Sequence, residues 1–319
     1  MGEFELIERF FKRPARQADL GVGDDCALLS PRPGHQLALS ADMLVEGRHF
    51  LSTVDAERLG HKSLAVNLSD LAACAAEPRA FLLSLALPRA DHVWLEGFTR
   101  GLFTLAEAHG CELIGGDTTQ GPLCISVTVL GDVPRGQALL RSGARPGDEV
   151  YVSGSVGEAR LALEAFRGQL DLPSEVFRAC RARLETPTPR VALGMALRGI
   201  ASAAADLSDG LLGDLGHILA QSGVGAHIEL PSTDGLLPSF RGWTPPGHWL
   251  RTCTLAGGDD YELVFTAAPA QAPAVRAAAE RCGTTVTRIG QITAASGLVL
   301  LDAQGQPQPM PAASFDHFA

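Results

Sequence analysis

Apolar and polar positions alternate along this chain in two periods, and the switches between them predict an ordered series of helices and strands. In residues 4–12, Phe4, Leu6, Ile7, Phe10 and Phe11 fall roughly on one helical side. Residues 26–29 and 36–40 read as short strands. Residues 56–76 read as a long helix whose apolar face includes Leu59, Leu64, Val66 and Leu71. Residues 81–87 form an apolar run of strand length. A second helix over 93–109 is stopped by Gly110. Strands over 111–114 and 123–133 follow, with alternation clearest at Ile125, Val127 and Val129. This order predicts an α+β layer, with helices on one face of a mixed or antiparallel sheet.

Residues 135–147 are rich in Gly, Pro and Arg and mark the expected domain boundary. The domains are therefore drawn as 1–136 and 137–319. Beyond the boundary, strands are expected at 149–152, 203–206, 226–230, 261–266, 285–292 and 298–301. Helices are expected at 158–167, 174–184, 190–198, 211–222 and 269–281. The second half is thus another α+β unit.

Composition narrows the function classes. Hydrophobic residues make up 46% of the 319 residues and charged residues 19%, enough apolar material for sizeable cores. The formal net charge of -10 argues against a nucleic-acid-binding surface. No apolar stretch is long enough to span a membrane, and no basic segment precedes an apolar run near residue 1, so no signal peptide is expected. The seven cysteines are scattered without a C-x-x-C pair, which predicts buried thiols in a reducing cytoplasm instead of disulfides or zinc. Lysine occurs only at Lys12 and Lys62, leaving few amines for catalysis.

The chemistry lies in the punctuation. Aspartates stand beside glycines or small residues at element ends: Gly23-Asp24-Asp25, Ser40-Ala41-Asp42, Gly115-Gly116-Asp117, Asp206-Leu207-Ser208-Asp209-Gly210 and Gly257-Gly258-Asp259-Asp260. Taken singly, each reads equally as a turn or a helix cap. Asp70 differs, because a carboxylate amid Leu68, Leu71 and Ala72 is poorly placed for a solvated face. Taken together, these carboxylates are hard oxygen donors of the kind Mg²⁺ prefers, with water and phosphate completing its octahedron. The glycines let backbone amides approach phosphate. A Walker A sequence and the protein-kinase motifs are absent. Magnesium and backbone amides must then replace a P-loop lysine. These features alone leave a phosphotransferase, a metal-dependent phosphatase and a non-catalytic nucleotide-binding subunit open.

The blocks GVGDDCALL, SADMLVEGRHF, KSLAVNLSDLAA, LIGGDTTQGPL, LRSGARPGDEVYVSG, DLSDGLLGDLGHI, GGDDYELVF and the closing FDHF together resemble the thiamine-monophosphate kinase family. GGDTT is shared with the wider superfamily of aminoimidazole ribonucleotide synthase, selenophosphate synthetase and a hydrogenase-maturation protein, whereas VEGRHF, NLSDLAA and FDHF are more specific. The resemblance implies two α/β-sandwich-type domains, the first a ferredoxin-like sheet-and-helix unit. It also implies a homodimer in which N-terminal sheets pair. The implied activity is ATP- and magnesium-dependent transfer to thiamine monophosphate. By motif, Asp24, Ser40, Ala41, Asp42, Asp70, Asp117, Asp206 and Asp209 would bind several magnesium ions, with Ala41 using its backbone carbonyl. Gly116, Asp117, Arg141 and Ser208 would contact ATP. His49, Asp259 and Phe315 would contact thiamine monophosphate. Relatives often carry Thr at the position of Ala41, Glu at that of Asp259 and a polar aromatic at that of Phe315. No nucleophile or general base is implied. The alternatives are another enzyme of this superfamily with a different acceptor, or a non-catalytic nucleotide-binding subunit.

Overall fold

The computed structural model describes residues 2–238, 240 and 243–310. They form two compact units: the chain up to Leu71 with Ala76–Gly136, and Ala72–Ala75 with the chain from Gln137 onward.

The first unit opens with a short helix α1 (Glu3–Leu6) running into a wider π turn (Ile7–Phe11), which buries Phe10 and Phe11. Its sheet contains β1 (His35–Val45), β2 (Glu77–Leu87), β3 (Glu112–Gln120) and β4 (Cys124–Pro134), in the order β1-β4-β2-β3. β4 is antiparallel to both β1 and β2, while β2 and β3 are parallel. The sheet is therefore mixed. Helix α2 (Ala56–Ala73) connects β1 to β2, and α3 (His92–Ala108) connects β2 to β3. Each starts on an aspartate: Asp55 accepts from Glu57 N at 2.9 Å, and Asp91 from Trp94 N at 3.1 Å. Leu59, Leu64, Leu68 and Leu71 of α2, Leu95, Phe98 and Leu102 of α3, and Phe81, Leu85 and Ile125 of the sheet are fully buried. Residues 26–29, expected as a strand, contribute only one bridge, between Leu28 and Leu20. That segment is mostly exposed and has no neighbouring strand to complete a ladder.

The second unit has a seven-stranded sheet of β5 (Glu149–Ser153), β6 (Ala203–Asp206), β7 (Gly225–Glu229), β8 (Leu263–Ala267), β9 (Val286–Thr293), β10 (Gly297–Leu301) and β11 (Pro307–Gln308). Its order is β11-β10-β7-β9-β5-β8-β6, antiparallel except for β10 with β7. Helices α4 (Glu158–Phe166), α5 (Ser174–Glu185), α6 (Val191–Ala196), α7 (Leu211–Ser222), α8 (Leu230–Asp234), α9 (Gly247–Ala256) and α10 (Ala272–Arg281) complete it. The pattern did not predict α8 or α9. Pro231 interrupts the period of the first, and the second buries the consecutive run Cys253, Thr254, Leu255 and Ala256, with Trp249 and Leu250 partly buried, a pattern without helical period. Val150, Leu207, Leu211, Leu215, Ile228 and Val264 anchor the main apolar core.

No disulfide joins the cysteines among the described residues. Cys111, Cys180 and Cys253 are buried, and burial pushes the Cys180 and Cys253 thiols up to about 12. Cys26, by contrast, is exposed. No described helix is long and apolar enough to cross a membrane.

A buried ionic hub braces the second unit. Glu262 is fully buried and accepts from Ser153 Oγ at 2.6 Å, Arg183 Nη2 at 2.7 Å and Arg190 Nε at 2.6 Å. One carboxylate thereby joins β5, α5 and the segment before α6 to the start of β8. Replacing it with a neutral amide strands two largely buried guanidinium groups. We expect Glu262→Gln to cost about 3 kcal/mol of stability. A lowered urea midpoint checks this; an unchanged midpoint removes the hub from the account of the fold.

Candidate active site

In the first unit, β1 and α2 bring several of the singled-out residues together. Ser40 Oγ donates to Asp70 Oδ2 at 2.5 Å. Two residues along the strand, Asp42 N donates to Asn67 Oδ1 at 3.1 Å. Asn67 Nδ2 donates to Ser63 O at 3.0 Å within α2, which fixes the amide so that its oxygen faces β1. Asn67 and Asp70 are three residues apart and share a helix face. Asp70 is half-buried while Leu68, Leu71 and Ala72 are buried, so its carboxylate leaves the apolar layer toward β1. Ala41 is exposed on the opposite side of the strand.

The loop after β1 carries His49. Its Nδ1 accepts from Val45 N at 3.0 Å, and its own amide donates to Val45 O at 2.9 Å. An accepting Nδ1 places the ring proton on Nε2. Buried Lys62 of α2 reaches His49 O at a long 3.5 Å. Sequence reasoning left Lys62 outside the site because it is distant from any glycine loop in the chain.

Asp24 is exposed on a loop closed by the Leu20–Leu28 bridge, and its Oδ1 accepts from Asp25 N at 2.8 Å. Gly116 and Asp117 are exposed on β3. In register across the sheet, Asp42 pairs with Val127, Val127 with Leu83, and Leu83 with Gly116. Asp42 and the Gly116–Asp117 step thus occupy opposite edge strands, three strand spacings or about 14 Å apart. The fold does not bring these two carboxylates together within one chain.

In the second unit, Asp206 ends β6 and is buried, whereas Ser208 and Asp209 are half-buried in the loop before α7. Asp259 lies on the loop before β8. The two loops are joined through main chain: Asp259 N donates to Ser208 O at 2.8 Å, Tyr261 N to Leu207 O at 2.9 Å, and Leu207 N to Glu262 O at 2.8 Å. The second loop is strained, with left-handed φ of 62° at Asp259 and 51° at Tyr261. Tyr261 Oη donates to Asp259 Oδ1 at 3.2 Å. Asp260, between them, is buried and accepts from Gly157 N at 2.9 Å. Burial raises its carboxyl well above the usual range. Arg141 is exposed, and its carbonyl accepts from Ser222 Oγ at 3.1 Å. Phe315 lies outside the described residues.

The candidate metal donors are carboxylates and one hydroxyl, which suit a hard cation. Among the described residues no three His, Cys, Asp or Glu side chains converge to hold an ion by themselves. Asn67, Tyr261 and Asp260 were missed as site residues, although each stands inside a block that carries one.

Two family models match this chain: AIR synthase related protein, N-terminal domain, over residues 23–133, and the corresponding C-terminal domain over 145–302. The paired loops and two α+β units are therefore those of an AIR synthase-related protein. Thiamine-monophosphate kinases of Salmonella typhimurium and Escherichia coli are each 43% identical, over 100% of this chain and 98% of their own length. The crystal structure of thiamine-monophosphate kinase from Stenotrophomonas maltophilia superposes with a TM-score of 0.83 at 46% identity, covering 92% of both chains. A solved AaThiL complexed with AMPPCP and TMP superposes at 0.76 with 29% identity, covering 91% of this chain and 89% of its own. This chain belongs to the thiamine-monophosphate kinase family.

Gly116 offers a direct test of how tightly the β3 loop is set. Its φ is 141°, and an added Cβ would lie 1.9 Å from Leu83 O. Gly116→Ala must displace β3 from β2, at a cost of about 2 kcal/mol. A melting temperature several degrees below wild type is expected, and an unchanged one refutes the close approach.

Proposed function

We propose that this protein is an ATP- and magnesium-dependent phosphotransferase that moves the γ-phosphoryl group of ATP directly to thiamine monophosphate, giving thiamine diphosphate and ADP. The observation that carries this reading is the full-length match to thiamine-monophosphate kinases at 43% identity. The neighbour solved with AMPPCP and TMP supports the same substrate pair.

The acceptor is a phosphate monoester whose second pKa is about 6, so it is largely ionised at neutral pH. It needs no general base. The difficulty is repulsion: two unit charges 4 Å apart cost about 4 kcal/mol at an effective dielectric near 20. Bound magnesium offsets that charge and leaves positioning as the protein's task. Asp24, Ser40, Asp42, Asp70, Asp117, Asp206 and Asp209, with the Ala41 carbonyl, are the donors for it. Gly116 on β3 and Ser208 on the loop before α7 suit ATP phosphates, and the Arg141 guanidinium matches phosphate oxygens bidentately. His49 Nε2–H and the Asp259 carboxylate suit the phosphate and cationic parts of thiamine monophosphate, with Phe315 assigned by resemblance alone. A cytoplasmic location accords with the absence of disulfides among the described residues.

A homodimer through the first unit's sheet belongs to the same reading. β1 exposes Leu39, Met43 and Val45, which are 63%, 56% and 37% accessible. Apolar side chains aligned on one strand face favour a partner surface. A second copy would also add carboxylates near a site whose edge strands hold Asp42 and Asp117 apart. Light scattering of Leu39→Asp combined with Met43→Asp should give the monomer mass, against a dimer for wild type; a wild-type monomer removes the proposal.

The purified protein with ATP, Mg²⁺ and thiamine monophosphate should yield thiamine diphosphate. Asp42→Asn and Asp117→Asn should each lower turnover by orders of magnitude with the fold retained by circular dichroism. No product from wild type refutes the kinase reading, and wild-type rates in both variants refute the metal assignment.

A further inference from the structure

Asp214 is the one carboxylate in the Asp206–Asp214 stretch to which motif and resemblance assign no role. It stands in the first turn of α7 and is almost fully buried. Its Oδ2 accepts from both Asp209 N and Gly210 N, each at 3.1 Å. In return, Asp214 N donates to Gly210 O at 3.0 Å, closing the first helical turn. Gly210 is thus held at both ends by one residue, in a backbone of φ 120° and ψ 151° that is strained for any side chain.

We propose that Asp214 is a positioning residue for the nucleotide- and magnesium-binding loop. Its carboxylate occupies the amides at the start of α7, a position otherwise open to an anion. Those amides are consequently turned inward, and the loop presents the Ser208 and Asp209 side chains instead of bare N–H groups. Arg141, whose charge acts on Asp214, remains as the cationic group on this side of the unit. Burial and the neighbouring Asp209 push the Asp214 carboxyl up to about 7, which accords with two carboxylates held close to one another. The essential property is an acceptor oxygen at this distance. The charge itself is secondary.

This inference rests on the proposed nucleotide site, and the test separates the two. Binding of magnesium with a non-hydrolysable ATP analogue is measured by calorimetry without acceptor, together with the KM for each substrate. Asp214→Ala should weaken analogue binding about tenfold or more, the loss expected when two hydrogen bonds to one acceptor oxygen are removed. The KM for thiamine monophosphate should stay within about twofold of wild type, a specificity that general destabilisation would not give. Asp214→Asn keeps an acceptor oxygen in place and should restore binding to within about threefold. Asp214→Glu keeps the charge but moves it by a methylene and should remain impaired. The asparagine and glutamate variants decide the matter if the alanine variant does not fold. Unaltered analogue binding in Asp214→Ala overturns the proposal, as does a glutamate variant that outperforms the asparagine one. Wild type that binds no analogue overturns the nucleotide site itself.

Discussion

Carboxylates repel one another, and a site built from them must be held by something other than its own charges. In this protein the holding is done by neutral donors. Ser40 restrains Asp70, and the amides of Asp209 and Gly210 restrain Asp214. Asn67 fixes the strand that carries Asp42 by accepting its backbone amide. At Asp214, burial first and the neighbouring Asp209 second push the carboxyl toward protonation. Elsewhere the carboxylates are separated, and the sheet of the first unit keeps Asp42 and Asp117 on opposite edges. The proposed reading asks a cation and its phosphates to complete this arrangement, with the protein supplying oxygen donors already held in place.

The ionic hub at Glu262 obeys the opposite rule. There the negative charge is buried against two arginines, and both carboxylate oxygens are taken by donors of the fold. The same loop thus carries one acidic residue committed to the fold, Glu262, and one set beside the strained turn that faces outward, Asp259. Asp260 lies between the two in sequence and in solvation: buried, hydrogen-bonded once to Gly157, and raised well above an ordinary carboxyl.

Much of this was legible in the chain. The period of apolar residues located α7 at Leu211–Ser222 and β6 at Ala203–Asp206, because both bury one continuous face and end on glycine or aspartate. It overextended α2 by three residues, where Ala75 turns left-handed, and missed α9, whose fully buried residues are four in a row instead of periodic. Among site residues, aspartates beside glycines were conspicuous by type and spacing. Asn67 and Tyr261 were not, since an amide that accepts from a backbone N–H, or a phenol beside a carboxylate, leaves no periodic trace. Asp70 was the informative exception: its mismatch with an apolar neighbourhood argued against a plain solvated face, and its carboxylate accepts from Ser40.

The Ser208 and Asp259 loops are stitched to each other by main-chain bonds. Peptide groups are the same whatever side chain they carry, so these bonds survive any substitution that the left-handed backbone at Asp259 tolerates. Aspartate at 259, where relatives often carry glutamate, shortens the reach of the carboxylate without loosening the loop that bears it. In this architecture the side chain at 259 can change its reach while the main-chain bonds to the Ser208 loop stay where they are.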